Sequence, residues 1–147
     1  IKAAYCGPKR GSKIVKKYVL DSFALIAFFE NEPAADKVAG ILRNINGNKA
    51  RGFMSVINWG EIYYNTMREA GIYEAEKVIE QFSKHSIQLV DADRDLTYRA
   101  AKLKAKYHIA YADCFAAALS SKLKAAVVTG DPEFEKLSNE INIYWLR

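Results

Sequence analysis

Four carboxylates stand where a charge needs a reason: Asp21, Glu61, Asp113 and Asp131. Asp113 lies in YADCFAAALS, residues 111–120, and at helical spacing its same-face neighbours are Ile109, Ala110, Ala116 and Ala117. An isolated carboxylate is costly to bury on such a surface, so a partner must stabilise it. Asp21 ends the run YVLD and Asp131 follows AAVVTG. If both runs are strands of an open α/β sheet, both acids sit at carboxyl ends, where ligands gather. Glu61 occurs in SVINWGEIYYNTMREAG. Four acids meeting at one end of a sheet repel one another unless protons or cations neutralise them. A divalent metal does this economically. An all-oxygen set without a nearby histidine or thiolate favours Mg²⁺ or Mn²⁺ over Zn²⁺.

Each acid also has a structural reading. Asp21 suits the N-cap of a helix starting at Ser22, and Asp131 suits the cap of a turn opening with Pro132. Glu61 follows Asn58 by three residues, the spacing of a capping-box-like return to the backbone. Asp113 reads as an early-turn carboxylate favoured by the helix dipole, or as the buried partner of a Lys or Arg. It is the combination that points to a shared site.

The elements that must position these residues alternate from Ile14 onward between short apolar runs and amphipathic stretches, the pattern of an α/β fold with a parallel sheet covered on both faces. Strands are predicted at 17–21, 52–56, 87–90, 125–129 and 141–145. Helices are predicted at 22–31, 33–44, 57–70, 73–84, 94–106 and 110–123. Pro33 opens the second helix, Gly71 ends the third, and Asp93 caps the fifth.

A chain of 147 residues fits one domain with a sizeable core, and its longest apolar run, FALIAFF at 23–29, is too short to cross a bilayer. Cys6 and Cys114 form neither a disulfide framework nor a zinc spacing, which suits a reducing cytoplasm. The formal charge of +5 is concentrated at one end. Residues 1–17 hold six cations and no acid, so the remaining body carries 16 cations against 17 acids. Attraction of a phosphate backbone to that body must come from local groups such as Arg43, Lys49 and Arg51, or from bound cations. Residues 1–13, with Gly-Pro and Gly-Ser punctuation, read as a flexible basic arm or a remnant of cloning.

Four segments, YVLDSFALIAFF, MSVINWGEI, YADCFAAALS and VVTGDPEF, resemble PIN-domain ribonucleases, most closely the VapC-type toxins of prokaryotic toxin–antitoxin pairs. Their order and spacing cover nearly all of residues 14–147, which the resemblance makes a PIN-like nuclease domain. It implies a five-stranded parallel sheet in the order 3-2-1-4-5. It also places the family's acidic quartet on Asp21, Glu61, Asp113 and Asp131, as catalytic and metal-holding residues for Mg²⁺ or Mn²⁺. Ser22 and Thr129 match its supporting hydroxyls. Phe23 departs from the family, which commonly has a small polar residue there. In that sheet order Asp91, Asp93 and Asp95 follow an edge strand and read as caps and surface charge.

The resemblance further implies an RNA substrate, a cognate antitoxin, a homodimer and a cytoplasmic location. Phe28, Phe29, Trp59, Tyr63, Tyr64 and Met67 cannot obviously all face one core, which agrees with a partner. The competing reading is a non-catalytic PIN-like module that binds RNA or protein. A receiver-like phosphoacceptor and a haloacid-dehalogenase-type phosphatase are disfavoured because DSF lacks the paired acids each needs. His85 and His108 flank helices and read as surface or cap residues.

Overall fold

The computed structural model describes residues 15–147. The arm read over residues 1–13, with Cys6, lies outside them.

The first strand, β1 (Lys16–Leu20), alternates its side chains between two cores. Tyr18 and Leu20 join one apolar cluster while Val19 joins the other, as the two-residue period of a strand demands. The same division separates Met54 from Phe53 in β2 (Ala50–Ser55) and Val128 from Val127 in β4 (Ala126–Thr129). Both faces of these central strands are therefore removed from water. That explains why they read as continuous apolar runs.

With β3 (Ile87–Val90) and β5 (Asn142–Trp145) the sheet is parallel throughout, in the order β3-β2-β1-β4-β5. The connections are α1 (Ser22–Phe29) and α2 (Ala35–Asn46), then α3 (Val56–Ala70) and α4 (Ile72–Phe82), then α5 (Arg94–Tyr107) and α6 (Tyr111–Leu123). A 3₁₀ turn, Pro132–Leu137, leads into β5. The chain builds outward from β1 through β2 to β3, then returns to place β4 on the other side of β1. The strand order thus reverses between β1 and β4, so a crevice is expected beyond their carboxyl ends. Asp21 and Asp131 follow those two strands.

Several boundaries differ from the sequence reading for local reasons. Val56 belongs to α3, because the Ser55 hydroxyl accepts from the Ile57 amide and starts the helix there. Pro33 does not open α2, which begins at Ala35 after a turn in which the Ala35 amide donates to the Glu32 carbonyl. Gly71 does end α3, with φ of +91°, a conformation that disfavours any residue with a Cβ. Asp93 caps α5 through the Leu96 amide at 2.8 Å, and Asp95 pairs with Arg99 and Lys122 at the surface. His108 adopts the left-handed conformation that closes α5, while the half-buried His85 contacts Asn46 at 3.0 Å. Among the described residues no helix is long and apolar enough to cross a membrane.

Candidate active site at the switch point

Asp21 is 1% exposed, the deepest of the four predicted acids, because it sits between the last buried residue of β1 and the first turn of α1. Its Oδ1 accepts from the Ala24 amide at 2.9 Å, so it is also the helix cap. The Thr129 hydroxyl at the end of β4 lowers the pKa of the same carboxylate against the larger effect of burial, and its oxygen accepts from the Asp131 amide at 3.0 Å.

Asp113 occupies the first turn of α6 and is 8% exposed. Its helix is buried along Cys114 to Ser120, so the carboxylate is carried inward by the packing of its neighbours. Burial pushes both Asp113 and Asp21 up to about 7. For Asp113 the repulsions of Asp131, Asp21 and Glu61 follow in order of size. For Asp21 the Thr129 and Ala24 hydrogen bonds act in the opposite direction, and Asp131 and Glu61 add to the rise. Asp113 is thus repelled by the other three predicted acids, and Asp21 by Asp131 and Glu61.

Glu61 reaches that neighbourhood from α3. The expected return of Glu61 to the backbone does not occur, since Ser55 already caps the helix. Glu61 Oε1 instead accepts from Ser22 Oγ at 2.8 Å and from Asn58 Nδ2 at 3.2 Å. Asp131 Oδ1 accepts from the Glu133 amide at 2.9 Å, giving the cap predicted before Pro132.

Asn58 is a residue the sequence reading noticed only for its spacing. It is fully buried, and Nδ2 also donates to the Ala112 carbonyl at 3.2 Å, joining α3 to the first turn of α6 beside Asp113. Two acceptors on one nitrogen fix which end of the amide is the donor. Its Oδ1 is buried without a protein donor. The signal in the sequence was Asn and Glu one helical turn apart; what it could not reveal was the second helix that Asn58 touches.

The donor set suits a hard divalent cation: carboxylate oxygens, two of them desolvated and mutually repelled, beside an unsatisfied buried amide oxygen. Among the described residues no three His, Cys, Asp or Glu side chains form a ready ion-holding group, and Asp21 and Asp131 each use one oxygen to cap their own helix or turn. The Cys114 thiol is buried and pushed up to about 11, chiefly by burial, which makes it an unsuitable nucleophile. Lys49 and Arg51 lie at the entry end of β2, away from these acids, so they supply no positive charge within the pocket.

Known proteins share this fold. Residues 18–140 match the family model described as the PIN domain. No curated protein matches the chain in sequence. Among solved structures it is similar to DNA-bound VapBC from Salmonella typhimurium, with TM-score 0.73 and 19% identity over 91% of this chain and 100% of that one. It is similar to a toxin–antitoxin complex from Klebsiella pneumoniae, with TM-score 0.65 and 12% identity over 88% and 98%. The sarcin–ricin loop-cleaving toxin VapC20 of Mycobacterium tuberculosis gives TM-score 0.62 and 14% identity over 84% and 95%.

Proposed function

The chain belongs to the PIN-domain family, and from that membership we propose that it is a metal-dependent endoribonuclease, the toxin of a toxin–antitoxin pair. The observation that carries this reading is the meeting of two buried aspartates, Asp21 and Asp113, with Glu61 and Asp131 at the point where the strand order reverses. Such a cluster is unfavourable when fully ionised, and a bound cation converts that repulsion into affinity.

Asp21, Glu61, Asp113 and Asp131 would hold Mg²⁺ or Mn²⁺. When bound, the metal lowers the pKa of the attacking water and neutralises charge developing on the scissile phosphate. The protein's own part is placement. Thr129, at the end of β4, favours the ionised form of Asp21, while Ser22 and Asn58 fix the Glu61 carboxylate from two sides. Asp113 is set by the buried flank of α6. Rigid supporting hydrogen bonds of this kind keep ligands oriented and limit the reorganisation needed to bind metal and substrate.

RNA is the substrate and the cytoplasm the place of action in this reading, with a cognate antitoxin as the regulating partner and a homodimer as the working assembly. Support for the partners comes from the exposed Tyr64 and Met67 on α3 and Ile72 and Tyr73 on α4. Phe28, Phe29 and Trp59, by contrast, pack against the core.

The test is cleavage of RNA with added Mg²⁺ or Mn²⁺. Cleavage should vanish in excess chelator and fall at least a hundredfold in Asp21→Asn and Asp113→Asn proteins. Undiminished cleavage in either setting defeats the mechanism. RNA binding that persists without metal-dependent cleavage would instead identify a non-catalytic binding module.

A further inference from the structure

Phe23 is the second residue of α1, two positions after Asp21. Its neighbours Ala24, Leu25 and Ala27 are buried, yet Phe23 is 40% exposed. Leaving so much aromatic surface in water forgoes part of the hydrophobic gain of folding. The ring is nevertheless not loose. It lies against Gly130, where an added Cβ would stand 2.4 Å from its Cε1 and 2.7 Å from its Cζ. Only a residue without a side chain leaves room for this seat. Gly130 itself lies at the end of β4, between Thr129 and Asp131, whose amide donates to the Thr129 hydroxyl. The ring thus bridges the ends of β1 and β4, supported on one side by backbone and open to solvent on another.

We propose that Phe23 is a stacking platform for an unpaired base of the RNA, next to the phosphate held at the acidic site. The proposal rests on the nuclease reading above. A nucleic-acid chain with one phosphate at Asp21 and Asp131 carries a base within a nucleotide's reach of a ring seated between the same two strand ends. Stacking is the recognition this pocket can offer, because the acids that flank the ring supply no positive charge to a bare strand. It needs only a π-face, which every base has, and it selects unpaired nucleotides over stacked duplex. Phe23 therefore contributes to selecting single-stranded or loop substrate, while the acids carry the chemistry.

The experiment measures KM and kcat for a single-stranded RNA oligonucleotide with Mn²⁺, and the fluorescence of 2-aminopurine placed at successive positions around the cut. Phe23→Ala and Phe23→Leu are expected to raise KM roughly five- to a hundredfold, the range for losing one base–aromatic stack, with kcat little changed. Phe23→Trp should remain near wild type and quench 2-aminopurine at one position. An abasic nucleotide at that position should weaken the wild type and have no further effect in Phe23→Ala, the non-additivity of two groups in contact. Gly130→Ala, which displaces the ring without removing it, should raise KM similarly. Tyr98→Ala, which removes a 63%-exposed aromatic from α5, should not. Equal KM for the Leu, Trp and wild-type proteins, or additive effects of Phe23→Ala and the abasic position, overturns the platform. So does loss of binding to a protein partner with KM for RNA unchanged, which assigns the ring to a protein interface. If the wild type cleaves RNA and only the Phe23 series is flat, this proposal alone falls. If the wild type neither binds nor cleaves RNA with Mn²⁺, the nuclease reading falls and takes the platform with it.

Discussion

Ser22 Oγ donates to Glu61 Oε1 at 2.8 Å across 39 residues of sequence, joining the first turn of α1 to the second turn of α3. Ser22 adjoins Asp21, so one short contact sets the spacing between two of the four acids. Ser22→Ala should leave the fold intact, because the helix cap is Asp21 rather than Ser22. It should weaken Mn²⁺ binding or cleavage about 10- to 100-fold, the usual effect of removing a supporting hydrogen bond at a metal site. Calorimetric Mn²⁺ titration and a cleavage assay, with circular dichroism as a check of the fold, measure this. Unchanged affinity and rate would show that Glu61 needs no brace.

Asn58 offers a related prediction with a larger structural component. Its amide satisfies both Glu61 and the Ala112 carbonyl from a fully buried position. Asn58→Ala strands a backbone acceptor and releases Glu61, so it should destabilise the protein by about 1–3 kcal/mol as well as reduce Mn²⁺ affinity. Denaturant unfolding of the metal-free protein separates the first effect from the second. A variant as stable as the wild type would mean that α6 does not depend on this contact for its position.

The legible part of this molecule was its layering and, through the resemblance of four segments, its strand order. Asp113 drew notice because it interrupts an apolar helix face, and burial is indeed what displaces its pKa. Asp21 is open to two readings, strand-end acid or helix cap, and it is both: it follows β1 directly while one oxygen caps α1. Glu61 was legible as a residue but not in its contacts. Its spacing from Asn58 suggested a cap, whereas Ser55 had already taken that role and freed both side chains to face another helix. Contacts such as Ser22 with Glu61, or Phe23 against Gly130, join segments far apart in sequence and depend on strand order, which no local pattern encodes. Boundaries failed where a side-chain cap or turn overrode apolar character, as at Val56 and Pro33.

Neutralising the buried aspartates should separate stability from activity. Asp21→Asn keeps an oxygen for the Ala24 amide, and Asp113→Asn keeps its volume, while each removes a repelled charge from the cluster. Near pH 8 and without metal, each variant should melt above the wild type by several degrees while losing its cleavage activity, the trade-off expected when strain is stored at a functional site. Thermal melts in chelator alongside the cleavage assay test this. A lower melting temperature for both variants would mean that the carboxylates stabilise the fold through pairing that outweighs their repulsion.

The pH dependence of the metal-free protein follows from the same two groups. Their usual value is 3.8, and in the folded protein each is pushed up to about 7 by burial and by the other acids. Between those values the folded chain holds protons that the unfolded chain has lost. Since stability rises with pH only where the unfolded state binds more protons, it must fall here as pH increases. Each unit of displacement corresponds to about 1.4 kcal/mol, so the decline across the window amounts to several kcal/mol. The melting temperature in chelator should therefore drop by roughly 10 °C between about pH 5 and pH 8, given a few degrees per kcal/mol for a chain of this size. Saturating Mn²⁺ should reverse part of the loss at the higher pH, because a ligand at 100 times its Kd contributes about 2.7 kcal/mol to the state that binds it. It should have little effect at the lower pH, where protons occupy the same oxygens. A melting temperature that is flat across this range, or that rises by the same amount with Mn²⁺ at both ends, would contradict a shared site in which protons and metal compete for Asp21 and Asp113.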